Sequence, residues 1–146
     1  MAAYQWVNSF SQSGIPTSAL DGGVDIDGHQ IYVGRAYHNG EWIPGKVIPG
    51  RNIAYIASEG KEYRKDRFQV LCEQRFDWVK VTNGNIPTEA VEGGRTSDGK
   101  LLYIGRVVYG GSNTVGKVSS ETKLCYIPFS GKELEFKEYE ILVLRT

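Results

Sequence analysis

The sequence has few of the residues from which metal centres and disulfide frameworks are built. It holds two cysteines and two histidines among 146 residues, whereas zinc needs three or four converging nitrogen, sulfur or oxygen ligands. Neither Cys72 nor Cys125 lies in a nucleophile motif or at a recognisable spacing from a histidine. We therefore expect no metal and no other cofactor. Both cysteines are predicted to be buried free thiols, and a single disulfide between them is the alternative.

An excess of either charge is also missing, because 17 basic residues balance 17 acidic ones. A nucleic-acid partner is not expected, since binding a phosphate backbone requires a basic excess or patch. No apolar run approaches the roughly 18 residues of a transmembrane segment. The first residues lack the basic and apolar regions of a secretory signal. We expect a cytoplasmic protein, with release by unconventional secretion as the alternative.

Glycine and tyrosine are abundant, at 18 and 9 residues. Together with many valines and isoleucines, this composition is typical of short strands joined by tight turns. Long helical patterns are scarce. The sequence therefore predicts an all-β protein.

A shift of 71 residues aligns the chain with itself. Residues 15–62 and 86–133 align without a gap and share 20 identities in 48 positions, where chance gives roughly three. Upstream, Trp6 matches Trp78 after a one-residue gap, and we interpret both as core anchors. We predict two tandem repeats, residues 1–75 and 76–146, that form one compact structural unit.

Each repeat contains several short strand patterns. Segments such as IYVGRAY and AYIAS mix apolar and small residues with a period near two, and Asp27-Gly28 is a hairpin signal. The spacing predicts four or five strands of 4–7 residues per repeat, with a solvated loop from Glu59 to Arg67. A unit this small buries too little surface alone. We predict antiparallel sheets packed about a pseudo-twofold axis, with strand exchange between the units as one way to achieve it.

The motifs GG-x-D-x-D-G, IYVGRA, PGKV, AYIA and GKEY have counterparts in the second repeat and resemble the DM-nine repeat family over nearly the whole chain. The resemblance implies a tandem-repeat lectin that binds mannose-containing glycans in pathogen recognition and innate immunity. It also implies self-association, as a homodimer or a higher homo-oligomer. Natterin-like proteins join this repeat to a pore-forming module, for which this chain has no room, so pore formation by it alone is not expected.

Sugar recognition needs carboxylates and amines that hydrogen-bond neighbouring hydroxyls, and an aromatic face against the ring. The resemblance assigns the polar roles to Asp25 and Lys46. Lys46 has a partner in Lys117, whereas Asp25 is aligned with Thr96. The first repeat then holds the complete pair of acid and amine. The second repeat binds sugar more weakly or uses other groups.

Asp27 is the alternative acidic anchor. It is matched by Asp98. Both repeats would then be able to bind sugar, the first through Asp27 and Lys46 and the second through Asp98 and Lys117. Asp25 is the favoured choice, because Asp27 lies in the turn.

The loop from His38 to Ile43, whose counterpart runs from Tyr109 to Thr114, adds three candidates. His38, Glu41 and Trp42 have no counterparts of the same type in the second repeat. Trp42 is interpreted as a platform for a sugar ring and Glu41 as a second acceptor, while local packing of Trp42 against a strand is the alternative.

Catalysis is not expected. Glycoside hydrolysis needs two acids on opposite sides of a bond, but residues two apart on a strand, such as Asp25 and Asp27, share one face. The main alternative to a lectin is an intracellular interaction or scaffold protein that binds a protein partner or a vesicle surface.

Overall fold

The structure is a computed structural model that describes residues 4–10, 14–73 and 75–145, and the regular structure in these ranges is entirely β-strand. The all-β prediction is confirmed. The strands are β1 (Gln5–Phe10), β2 (Asp21–Val24), β3 (Gln30–His38), β4 (Glu41–Ile48), β5 (Ile53–Ser58), β6 (Lys61–Lys65), β7 (Arg67–Cys72), β8 (Phe76–Val81), β9 (Glu92–Arg95), β10 (Leu101–Tyr109), β11 (Ser112–Ser119), β12 (Cys125–Phe129), β13 (Lys132–Phe136) and β14 (Tyr139–Leu144).

Each repeat contributes seven described strands, so the prediction of four or five was wrong. The reason is that some connections are very short. Glu59 and Gly60, both with positive φ, form the turn between β5 and β6, and Asp66 alone separates β6 from β7. The charged segment from Glu59 to Arg67 is therefore strand and turn, not the solvated loop that its composition suggested.

The strands form one antiparallel sheet in the order β1-β7-β3-β2-β11-β12-β13-β6-β5-β4-β9-β10-β14-β8, with further pairings β3–β4 and β10–β11. Strands β2 and β7 pair with successive parts of β3. The second repeat has the same arrangement, in which β9 and β14 pair with successive parts of β10.

The two units are joined by strand pairing across their interface, while β2 and β9 stay paired with β3 and β10 of their own repeats. Strand β2 of the first repeat pairs with β11 of the second, with Val24 opposite Asn113. Strand β9 pairs with β4 in the same way, with Arg95 opposite Trp42. These two contacts are related by the 71-residue shift, so the pseudo-twofold symmetry is confirmed.

The pseudo-twofold axis passes between β6 and β13. Lys61 faces Lys132 there. The backbone N–H of Glu62 donates to Gly131 O, and that of Glu133 donates to Gly60 O, both at 3.0 Å. Two equivalent edges are thus joined by equivalent hydrogen bonds.

A shared arginine in each repeat also joins the units. The guanidinium of Arg35 lies 4.1 Å from the ring centre of Trp6 and donates to Gly93 O at 3.1 Å. Arg106 lies 4.3 Å from Trp78 and reaches across the interface in the same manner. The two tryptophans are half-buried against the central core cluster, where they cover these cations.

The buried side chains form three clusters. The central cluster mixes both repeats, with Ile31 and Leu71 beside Ile104 and Leu142. The outer clusters belong mainly to one repeat each, and they contain Cys72 and Cys125 respectively. Both cysteines are buried free thiols, as predicted.

Candidate functional site

A polar cleft lies between the two units, on the face formed by β11, β12 and β13. Lys117 on β11 is directly opposite Tyr126 on β12, and Glu133 on β13 is opposite Pro128. Because cross-strand partners point to the same face and side chains alternate along a strand, Lys117, Tyr126 and Glu133 project together. The register therefore gathers an amine, an aromatic ring and a carboxylate in one place.

These three groups are close together. Lys117 Nζ is 3.1 Å from Glu133 Oε2, and both side chains are 13% exposed. The same ammonium nitrogen is 5.6 Å from the ring centre of Tyr126. The ion pair is largely shielded from solvent, and both of its residues line the cleft.

Glu133 is held by both units. Its Oε1 accepts a hydrogen bond from the backbone N–H of Gly60 at 2.9 Å, while its Oε2 faces Lys117. The turn at Gly60 belongs to the first repeat, so the second repeat alone does not complete this position.

The opposite wall is the β3–β4 hairpin of the first repeat. Glu41 Oε2 accepts from the backbone N–H of Ser97 at 3.0 Å, which fixes the hairpin against the β9–β10 turn. Asn39, in the hairpin turn with φ 49°, extends the same wall, and Ser58 also lines the cavity.

The resulting cavity has a volume of about 350 Å³. We call it the interunit cleft; its lining consists of Asn39, Glu41, Ser58, Glu59, Thr96, Ser97, Leu102, Lys117, Ser119, Tyr126 and Glu133.

The lining is suited to a small polyhydroxylated ligand. It combines carboxylates, an ammonium, hydroxyls and an amide, which together accept and donate hydrogen bonds to adjacent hydroxyl groups. Tyr126 supplies an aromatic surface. Cavities of about 300 Å³ and above hold small ligands, so the interunit cleft is large enough for one sugar residue.

Of the predicted site residues, Lys117 and Glu41 meet in the interunit cleft. They come from different repeats and are brought together by the strand pairing between the units. Asp98 lies at the neighbouring β9–β10 turn, where its Oδ1 accepts from the hydroxyl of Thr96. This hydrogen bond is the largest cause of the lowered pKa of Asp98.

Lys46 occupies the equivalent position in the first repeat, but it is more buried, with 6% of its side chain exposed. Its Nζ is 4.0 Å from Glu62 Oε2 and 5.9 Å from the ring centre of Tyr55. Burial lowers the pKa of Lys46, and the carboxylates of Glu62 and Asp25 act in the opposite direction. Asp25 is thus within electrostatic range of Lys46.

Asp25 and Asp27 line a separate hollow of about 530 Å³ together with His29 and Arg51, and Lys46 is not part of that lining. Asp27 Oδ2 lies 2.9 Å from His29 Nδ1, and hydrogen bonds from His29 lower the pKa of Asp27. Asp25 has local contacts, since its Oδ1 accepts from the N–H of Ile26 at 2.9 Å. The role of Asp25, Asp27 and Lys46 as sugar contacts stays a prediction.

Trp42 and His38 lie on other surfaces of the first hairpin. Trp42 contacts Tyr37 edge-on at 5.5 Å and lines a hollow of about 730 Å³ that also includes Phe10 and Arg67. Its role as a sugar platform stays a prediction.

The imidazole of His38 contacts the ring of Tyr63, with 4.3 Å between the ring centres and 40° between the planes. Burial lowers the pKa of His38, with Lys65 and, more weakly, Lys117 acting in the same direction. These effects favour the neutral form of His38.

Sequence reasoning missed Glu133, Tyr126 and Ser58. A signal for the first two was present, because Tyr126 and Glu133 are identical to their counterparts Tyr55 and Glu62. The shared residues were interpreted as scaffold and turn. Ser58 had no signal, since its part in the cleft depends on which strands neighbour β5 in the assembled sheet.

Within the described ranges, no group of three or more histidine, cysteine, aspartate or glutamate side chains is placed to hold a metal ion. No helix in this same part of the chain is long and apolar enough to cross a membrane.

Comparison with known proteins gives two positive findings. Residues 25–136 match the sequence model of the DM9 (DM-nine) repeat. The fold is similar to that of the nematode sperm cell motility protein MFP2B, with a TM-score of 0.73 and 16% identity, over 99% of this chain and 48% of that one. This chain thus spans about half the length of the MFP2B chain. No curated protein matches the sequence significantly.

Proposed function

Because the chain belongs to the DM9 repeat family, we propose that it is a carbohydrate-binding protein that recognises mannose-type glycans without transforming them. The binding site in this proposal is the interunit cleft. The observation that carries it is the ion pair between Lys117 and Glu133, 3.1 Å apart, beside the ring of Tyr126.

This ion pair has the capacity to hold two neighbouring hydroxyl groups. An ammonium has three donors, of which Glu133 uses one, and each carboxylate oxygen accepts more than one hydrogen bond. One sugar hydroxyl then accepts from Lys117, and the adjacent hydroxyl donates to Glu133. Charge-assisted hydrogen bonds of this kind are roughly twice as strong as neutral ones, so a single pair is sufficient to orient a sugar ring.

The two carboxylates of the cleft are arranged for binding. Glu133 accepts from Gly60 and faces Lys117, while Glu41 accepts from Ser97. Both therefore act as hydrogen-bond acceptors towards groups of the protein. A glycoside hydrolase would need one of its two acids protonated and directed at the leaving oxygen. These contacts favour recognition over catalysis.

One cleft of this size holds a single sugar residue, for which weak affinity is expected. Strong recognition of a glycan surface then requires several sites held together. We include in the proposal a homodimer or higher homo-oligomer that acts in pathogen recognition.

A calorimetric titration with mannose and with mannan tests the proposal. We expect a binding heat with mannose, higher apparent affinity with mannan because many sites engage at once, and weaker heat with galactose, whose hydroxyls are arranged differently. Absence of heat with every sugar, together with a blank glycan array, would contradict the carbohydrate-binding function.

A protein-interaction function is the second candidate. It is favoured by the hollow beside Trp42, where Phe10 and Tyr37 are 46% and 57% exposed. Exposed aromatic side chains are enriched where proteins bind each other. In that case Tyr37→Ser weakens the binding of an identified protein partner, whereas free mannose has no effect on it.

A further inference from the structure

The hollow beside Trp42 has no described lining residue in common with the interunit cleft. We propose that it is a second carbohydrate site, which binds a sugar residue that carries a carboxylate, a uronic acid. The inference rests on the proposed function for the class of ligand, and on the side chains of the hollow for the acid. We call it the aromatic hollow, after Phe10, Tyr37 and Trp42 in its lining.

Two aromatic rings of this hollow are held in place by the protein. Tyr37 is opposite Trp42 across β3 and β4, and their ring centres are 5.5 Å apart. The guanidinium of Arg35 lies 5.0 Å from the ring centre of Trp42, and its Nε donates to Gln69 at 2.7 Å. Tyr37 nevertheless stays 57% exposed. A preordered and exposed ring offers apolar surface to the C–H side of a sugar at little entropic cost.

The strand register places a cation beside these rings. Arg35 and Gln69 are cross-strand partners on β3 and β7. Tyr37 and Arg67 each lie two residues further towards the same end of this strand pair, so both project from the same face of the sheet. Lys65, just before Arg67, also lines the aromatic hollow.

The protein does not neutralise these two cations. Among the residues that the structure describes, the side chains of Lys65 and Arg67 form no ion pair or hydrogen bond, and the one carboxylate of the lining, that of Asp66, is 3.6 Å from Arg64 Nε. A guanidinium binds a carboxylate through two parallel hydrogen bonds. Arg67 therefore suits a ligand whose acid group lies at the edge of an apolar ring face.

The second repeat lacks this combination of groups. The 71-residue shift places a different residue type at each position, so that Tyr37, Trp42, Lys65 and Arg67 correspond to Val108, Asn113, Phe136 and Glu138. The scaffold forms equally well with either set, so the fold does not require the rings and cations of the first repeat. We expect one aromatic hollow per chain.

The shape of the surface favours a sugar over a membrane. A membrane-binding surface buries its apolar face in the lipid and keeps basic groups around it, whereas here the rings and cations line a concavity of about 730 Å³. Pockets of about 300–1,000 Å³ bind small molecules. The aromatic hollow is therefore large enough for more than one sugar residue.

Calorimetry with a β-1,4-linked oligoglucuronate and with a glucose oligosaccharide of the same length and linkage tests the acid preference. We expect the native chain to bind the acid about tenfold more tightly, the effect of one charge-assisted hydrogen bond. Arg67→Gln should remove this preference. Arg64→Gln is the matched control, because it removes the same charge three residues away and outside the described lining, and the preference should persist.

A second pair of variants tests the aromatic contact. Tyr37→Ser is expected to weaken the binding of both oligosaccharides roughly 3- to 10-fold. Val108→Ser changes the equivalent, 76% exposed position of the second repeat and should bind like the native chain. Equal affinity of the native chain for oligoglutamate of matched charge would show that charge alone is recognised and would overturn the inference.

The variant Lys117→Met separates the two sites. Oligoglucuronate binding should be unchanged in it, and loss of that binding would place the acid in the interunit cleft instead. Equal effects of Arg67→Gln and Arg64→Gln, or no binding of oligoglucuronate by the native chain, would also refute the second site. If the native chain binds oligoglucuronate but not mannose, the mannose proposal fails and the acidic-sugar site stands.

Discussion

Gly94→Ala is expected to destabilise the fold by about 3 kcal/mol, at the upper end of the range for overpacked positions. A Cβ at Gly94 would overlap the carbonyl oxygen of Trp42 and lie 2.7 Å from its carbonyl carbon. This contact is between β9 and β4, where one unit pairs with the other. A displaced β9 would loosen the strand pairing between the units.

The melting temperature measured by circular dichroism should fall by roughly 10 °C, since about 1 kcal/mol corresponds to 2–4 °C in a chain of this size. Gly94 has no positive φ, so the effect comes from contact alone. Gly50→Ala is the matched control, because a Cβ there meets nothing within 4 Å and φ is also ordinary. Equal melting temperatures for both variants would show that the β4–β9 approach does not limit stability.

The internal repeat made the architecture predictable. An identity such as Gly94 with Gly23 is informative because both positions need close backbone approach, at Trp42 and at Asn113. Two small units with the same apolar pattern bury enough surface only against each other. The symmetry and the antiparallel strands follow from that requirement. The number of strands does not, since connections as short as Asp66 leave no loop signal in the sequence.

The site was less predictable, because it forms between repeats. Glu41 and Lys117 are 76 positions apart, and their meeting depends on β9 pairing with β4 of the other repeat in addition to β10 of its own. Sequence comparison identified the lysines and glutamates as shared, but only the pairing of strands determines which side chains surround each of them.

Lys117→Met is expected to lower the affinity for mannose roughly 10- to 100-fold. Hydrogen bonds to a charged group contribute about 1.5–3 kcal/mol, and about 1.4 kcal/mol corresponds to a factor of ten. Methionine has a similar length but has no donor, so the ring of Tyr126 keeps a neighbour while the sugar loses its ammonium contact. Calorimetry with mannose measures the change.

Lys46→Met is the matched control for this variant, because the two lysines have the same strand position, an equivalent glutamate and an equivalent tyrosine. If the interunit cleft is the site, Lys46→Met binds mannose like the native chain and Lys117→Met does not. The reverse result would place the sugar at the Asp25/Lys46 pair that the family resemblance implies, and Asp25→Ala should then abolish binding as well. Melting curves of each variant separate loss of a contact from loss of the fold.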